Sequence, residues 1–408
     1  MMSPRHASVR RSATEKAFRG LLAIIAVALG YVSVTQSLGY TFKDDSARAH
    51  ILAPNDGRVT ALLSQSFVTA QATATDLAEG ERLARLALDQ DPTAVRAATT
   101  LGLINEIRGH KKVARRLFAY ADKLSRRELQ TQLWAIEDAV ERHDVAGALR
   151  QYDIALRTSQ IAPDLLFPVL ASAVADPGIR SALTRTLASD PAWGPNFTLY
   201  VSAHSPPDAA VSLFRDLART GNEVTAEPHA RLVNRLISSG AFADAWNYYS
   251  GIRRGASRHS SRDPRFQMNL AIPTPFDWTL EDTPGISSMI QPGERGGIFD
   301  FSAPASVGGN VLQQMQMLPP GDYRLEGHSS GIEQPEGSRP YWVLTCLDGR
   351  ELNRVIVPNS TQAKGAFYGQ FHVPETCPVQ TLALVVRATE SISGVTGQID
   401  LIQLVPLR

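Results

Sequence analysis

Cysteine is scarce in this chain: its 408 residues contain only Cys346 and Cys377. Neither belongs to a Cys-x-x-Cys motif or a Cys/His cluster, which argues against a zinc site and a thioredoxin-like redox motif. Net charge is nearly absent too, with 41 Lys and Arg against 40 Asp and Glu. Nothing global therefore attracts nucleic acid. None of the nine histidines forms His-Glu-x-x-His or an i, i+4 pair. The paired glycines at 296–297 and 308–309 match no phosphate-cradling loop. No metal and no cofactor is expected. What remains is ordinary for a folded protein, 43% apolar and 20% charged, over a length that suits two or three units.

Charge is missing altogether from residues 20–38, GLLAIIAVALGYVSVTQSL. At 1.5 Å per residue this run spans about 28 Å, enough for the hydrocarbon core of a bilayer. Arg5, Arg10, Arg11, Lys16 and Arg19 precede it against the single acid Glu15. The pattern predicts a basic cytoplasmic tail at 1–19, an uncleaved single-pass helix at 20–38, and export of everything after Lys43. That topology corresponds to a bacterial inner-membrane protein whose bulk is periplasmic. One rival is a cleaved signal peptide with Ser37-Leu38-Gly39 in place of Ala-x-Ala; another is a buried helix of a soluble protein. In an oxidising compartment Cys346 and Cys377 are disulfide candidates, the alternative being two buried thiols.

From 45 to 252 apolar residues return every three and four positions, which predicts helices. Ala114, Phe118 and Ala121 are echoed 34 residues later by Ala148, Tyr152 and Ala155. In residues 95–128, Gly102, Gly109, Ala114, Phe118 and Ala121 take small or aromatic positions, with a Leu101-Gly102 pair. Small residues let paired helices approach, and the aromatic fills the gap to the next pair. This register resembles the tetratricopeptide repeat and implies a solenoid that binds envelope proteins. Residues 161–227 depart from it, interrupted by Pro163, Pro168, Pro177, Pro191, Pro195, Pro206 and Pro207. Asp208-Ala209-Ala210 with Phe214 still reads as a degenerate hairpin. The basic run 253–265 reads as a solvated linker.

Beyond 266 the period changes to two. Short apolar and β-branched runs such as IFDFSA, DYRLEG, YWVLTC and TLALVV alternate with Gly, Pro and Asn. They predict an antiparallel β-sandwich of the jelly-roll type over 266–408. The fold class is thus multidomain α + β: a transmembrane helix, a helical solenoid and a C-terminal sandwich. Pro275-Phe276-Asp277-Trp278, Leu312-Gln313-Gln314, the Pro-Gly-x-Tyr turn at Pro320 and Gln398-Ile399-Asp400 resemble a galactose-binding-like jelly roll, the fold of many carbohydrate-binding modules. The resemblance implies a sugar-binding face and places Trp278 and Tyr323 in the core. Trp342 shares a face with Leu344 and Cys346, also a core pattern. Tyr341 and Tyr368, on opposite faces of their strands, are the candidates for sugar stacking, with Asn310, Gln313 and Arg339 as hydrogen-bonding partners.

Catalytic patterns are few. Gly327-His328-Ser329-Ser330-Gly331 satisfies Gly-x-Ser-x-Gly, yet the residues that follow do not start the helix a nucleophile elbow requires. Asp277 and Asp300 could pair as glycosidase carboxylates, but solvated loop acids describe them far better. The expected function is a non-enzymatic, membrane-anchored periplasmic adaptor, accessory to cell-surface polysaccharide biosynthesis or export. The alternatives are a scaffold of another envelope machine, division or secretion, and an envelope glycan hydrolase or esterase.

Overall fold

The computed structural model describes residues 45–407 except 269, 390, 391 and 393, together with 26, 30, 33, 34, 37 and 41. Apart from those isolated positions, the expected span 20–38 lies outside the described residues, among which no helix is long and apolar enough to cross a membrane. The chain divides into two compact units, residues 1–166 and 167–408.

The first unit contains α1 (Ser46–Leu52), α2 (Gly57–Ser66), α3 (Ala74–Gln90), α4 (Val95–Ile107), α5 (Lys111–Leu124), α6 (Leu129–Glu141), α7 (Val145–Thr158) and the start of α8 (Ala162–Ala173). Side-chain caps set several starts. Thr73 and Asp76 form a capping box at α3, and the Asp56 and Asp144 carboxylates accept first-turn N–H groups of α2 and α7. The echoing residues are buried: Ala114, Phe118 and Ala121 on α5, then Ala148, Tyr152 and Ala155 on α7. Phe118 stacks on Trp134 with ring centroids 4.1 Å apart. Gly102 is small because a Cβ there would stand 2.9 Å from that Phe118 ring.

Gly102→Ala therefore sets two effects against each other. Alanine gains about 1 kcal/mol over glycine in a helix, while overpacking a ring already held by Trp134 costs about 1–3 kcal/mol. Packing should win, destabilising the first unit by up to ~2 kcal/mol and lowering its urea midpoint accordingly. A midpoint that rises would show that the ring has room to retreat.

The second unit holds the rest of α8, then α9 (Pro177–Leu187), α10 (Gly194–His204), α11 (Pro207–Arg219), α12 (Ala226–Ser238) and α13 (Phe242–Ile252). Here the prolines expected to interrupt the array mostly begin its helices. Pro177, Pro195 and Pro207 occupy first turns, where the missing N–H has no partner to lose, and only Pro168 lies inside a helix.

Ten strands follow: β1 (Thr279–Leu280), β2 (Ser287–Gly293), β3 (Gly296–Ala303), β4 (Gly309–Gln316), β5 (Gly321–Ser330), β6 (Tyr341–Cys346), β7 (Glu351–Ile356), β8 (Ala366–Val373), β9 (Gln380–Val386) and β10 (Val395–Pro406). They form two five-stranded sheets, ordered β1-β4-β9-β6-β7 and β2-β3-β10-β5-β8, and every pairing is antiparallel. Phe299, Phe301, Val311, Leu312, Leu325, Trp342, Leu344, Phe371, Leu384 and Ile402 fill the space between them. Trp278 and Tyr323 are buried in the same core. Cys346 and Cys377 are joined by a disulfide with Cα atoms 5.6 Å apart.

The segment 253–265 corrects a sequence expectation. Rather than a solvated linker, it carries Ser261 and Arg262 into the protein at 6% and 5% exposure. The Arg262 guanidinium donates to Phe276 O at 2.8 Å, to Gln316 Oε1 at 2.9 Å and to Met315 O, and lies over the Trp246 ring of α13. Composition marked the run as basic and small; hydrogen-bond partners 14 to 54 residues away are what bury it.

Candidate functional site

The outward face of the β2-β3-β10-β5-β8 sheet sets polar side chains, several of them paired with one another, around one exposed ring. Along β5, buried Tyr323, Leu325, Gly327 and Ser329 alternate with outward Asp322, Arg324, Glu326, His328 and Ser330. On the neighbouring edge strand β8, Ala366, Tyr368, Gln370 and His372 point outward. Register sets Glu326 between Tyr368 and Gln403, Arg324 opposite Gln370, and Asp322 opposite His372. Tyr368 is 83% exposed although it sits in mid-strand. Beside it on β5 Arg324 Nη2 lies 3.2 Å from Glu326 Oε2 and His328 Nδ1 lies 2.7 Å from Asp400 Oδ1, while farther across the sheet, between β10 and β3, Gln398 Nε2 donates to Asp300 Oδ2 at 2.7 Å. The face offers carboxylates, amides, a guanidinium and an imidazole beside a bare aromatic ring.

The remaining sequence candidates lie on the other sheet. A β-bulge between Asn310 and Leu312 turns Val311 and Leu312 both into the core. It thereby brings Asn310 and Gln313 to one outer face, opposite Val385 and Ala383. Asn310 Nδ2 donates to Gln313 Oε1 at 3.1 Å, and Gln313 Nε2 donates to Glu281 Oε1. Among the described residues Asn310 Oδ1 is buried without a hydrogen-bond partner. Tyr341 shares this face, its register partner on β9 being Val385. Its ring carries the Arg354 and Arg387 guanidiniums at 4.8 and 4.6 Å from the centroid. A ring covered by two cations is a poor platform for a sugar. Arg339 precedes β6, half-buried, and donates through Nε to Gln334 O at 3.4 Å. Thus Asn310, Gln313 and Tyr341 are brought together, and Tyr368 is apart from them.

The catalytic patterns do not assemble. Ser329 is 2% exposed within the extended strand β5, with no helix after it, while His328 and Asp400 pair on the opposite face of that strand. Asp277 is no solvated loop acid: at 4% exposure it accepts from Tyr249 Oη at 2.8 Å and from Thr274 N and Oγ1 at 2.9 Å. Asp300 lies on an outer sheet face bound to Gln398. A cavity of about 860 Å³ borders Arg262, Asp277, Trp278 and Gln314. The polar groups of these residues are engaged with one another and with nearby backbone. Arg324, Glu326 and Gln370 were missed because a search led by aromatics and motifs passes over them. The signal was available in DYRLEGHSS, where every second residue is polar.

No family model matches the chain, and no curated protein matches it. Its neighbours among solved structures include carbohydrate-binding modules. One is a CBM4 module, 13% identical over 36% of this chain and 99% of that chain, at a TM-score of 0.27. Another is the family 11 module of the cellulosomal cellulase Lic26A-Cel5E of Clostridium thermocellum, 11% identical over 37% and 97% of the two chains, at 0.23. The enzymatically active domain of tailspike protein 4 from bacteriophage CBA120 is also similar, at 12% identity and a TM-score of 0.26, covering 37% of this chain and 21% of that one. At such identities and TM-scores these likenesses assign no function to the chain, which is similar to modules of this kind in its β-sandwich.

Proposed function

We propose that this protein is a non-enzymatic, glycan-binding adaptor whose sandwich takes a sugar chain on the face centred on Tyr368. The observation that carries this reading is the 83% exposure of a mid-strand tyrosine amid Arg324, Glu326 and Gln370. An aromatic ring left uncovered beside convergent polar groups is the composition of a recognition surface. The ring stacks against sugar C–H faces while the carboxylate, guanidinium and amide bind hydroxyls. The helical part serves as a tetratricopeptide-like surface for envelope proteins. Residues 20–38 anchor the chain in the inner membrane with the bulk in the periplasm, and the Cys346–Cys377 bridge supports an oxidising compartment. The setting this gives is cell-surface polysaccharide biosynthesis or export.

A glycan array followed by calorimetry on the best ligand tests the reading. Tyr368→Ala, which removes no buried contact, should weaken binding about tenfold to a hundredfold, and Gln313→Ala on the other sheet should leave it unchanged. No bound glycan, or a Tyr368→Ala protein that binds like the parent, overturns the proposal. Loss in Gln313→Ala alone transfers the site to the Asn310 face.

A further inference from the structure

A second site of different chemistry lies among the helices of the 167–408 unit. A cavity of about 560 Å³ opens between α11, α12 and α13, with Thr274 at its edge. Arg215, Arg253 and Arg254 line it against the single carboxylate Glu223. Elsewhere on α11 and α12 Arg219 pairs with Asp216, which Arg180 of α9 also approaches, and Arg231 pairs with Glu227. Arg215 and Arg254 are exposed and form no ion pair among the described residues. Among the described residues the Arg253 Nε–H is buried with no hydrogen-bond partner, and it stands in a long ion pair with Asp277 Oδ1 at 3.6 Å. An orphaned guanidinium donor of this kind costs about as much as a lost charged hydrogen bond unless something fills it.

The rest of the wall suits an anion. His229 Nδ1 is hydrogen-bonded to Tyr248 Oη, and Phe214 packs edge-on against the imidazole. Burial holds the His229 pKa below its ordinary value, aided by the Arg253 charge, so the imidazole remains neutral and the arginines supply the charge. The cavity also reaches the first turn of α12, where Thr225 provides no side-chain cap. Two guanidiniums without an ion pair among the described residues, Arg215 and Arg254, beside a third shared with Asp277, match the forked geometry by which arginine binds compact oxyanions.

We infer that this cavity binds a small oxyanion, a phosphate or carboxylate group such as charged saccharides carry. The inference is independent of the Tyr368 face, which contributes none of these residues. The test titrates the full chain with inorganic phosphate and, separately, with methyl glucuronoside, following the Trp and His resonances or heat. Saturable binding of either probe is expected, and the stronger arm identifies the source of the oxyanion. The double variant Arg215→Gln/Arg254→Gln, which alters only exposed side chains, should weaken it by about tenfold or more. Arg150→Gln, an exposed change in the other unit, should leave it intact. Absence of saturable binding by both probes, or equal binding by the double variant, overturns the inference. Loss of glycan-array binding in Tyr368→Ala with oxyanion binding retained separates this site from the other.

Discussion

Exchanging Arg262 for methionine should destabilise the 167–408 unit by about 3–5 kcal/mol, the usual cost of removing one partner from a buried charged network. Methionine approximates the arginine stem in volume, so the loss is not a cavity effect. It comes from what the guanidinium leaves behind. The carbonyl oxygens of Phe276 and Met315 and the Gln316 Oε1 lose their donor, and each buried acceptor without a partner costs about 1–3 kcal/mol. Asp277 loses a nearby positive charge and retains Arg253 at 3.6 Å. Burial lowers the Arg262 pKa to about 10, opposed by the nearby Tyr249 and Asp277, so the side chain is still charged at neutral pH.

Two measurements read this out. Urea unfolding gives the size of the loss, and Trp246, lying 5.3 Å beneath the guanidinium, gives its location. The network joins α13 to the sandwich: Tyr249 of that helix donates to Asp277, and Trp246 and Tyr249 both pack on Phe276. In the variant the helical and β transitions should therefore separate, where the parent unfolds this joint in one step. A single variant within 1 kcal/mol of the parent, on the scale of an ordinary surface change, would show that the buried arginine is replaceable by shape alone.

The same residue shows where the sequence was readable and where it was not. Patterns set by one strand or one helix were legible. Alternation in YWVLTC placed Trp342 and Leu344 inward, and the spacing of Ala114, Phe118 and Ala121 marked a packed helix face. Features made by partners far along the chain were not. Arg262 reads as a linker cation until Phe276 and Gln316 come to meet it. Strict alternation sets Asn310 and Gln313 on opposite faces, and only the bulge at Val311 unites them. Tyr341 is a plausible stacking ring until Arg354 and Arg387 arrive from β7 and from beyond β9. β2 escaped notice because Ser287, Ser288 and Pro292 are poor strand formers, and pairing with β3 overrides that preference.

Replacing both Cys346 and Cys377 by alanine should cost roughly 3–4 kcal/mol and lower the melting temperature by roughly 6–16 °C. Native contacts alone would suggest less. β6 and β9 are already paired at Cys346 and Gln380, so the folded sheet has brought the two ends together without the bridge. The stabilisation lies mainly in the unfolded chain, where a link across 31 residues removes conformational freedom. That origin has its own mark: the unlinked variant should expose more surface on unfolding and show a larger urea m-value. A loss confined to native packing, from sulfurs 4% and 2% exposed at each residue, would lower the midpoint and leave m unchanged. Equal midpoints, with two thiols titrating in the parent after unfolding without reductant, would show that the bridge does not form. The same few kcal/mol separate the sandwich folded under oxidising conditions from the sandwich folded under reducing ones.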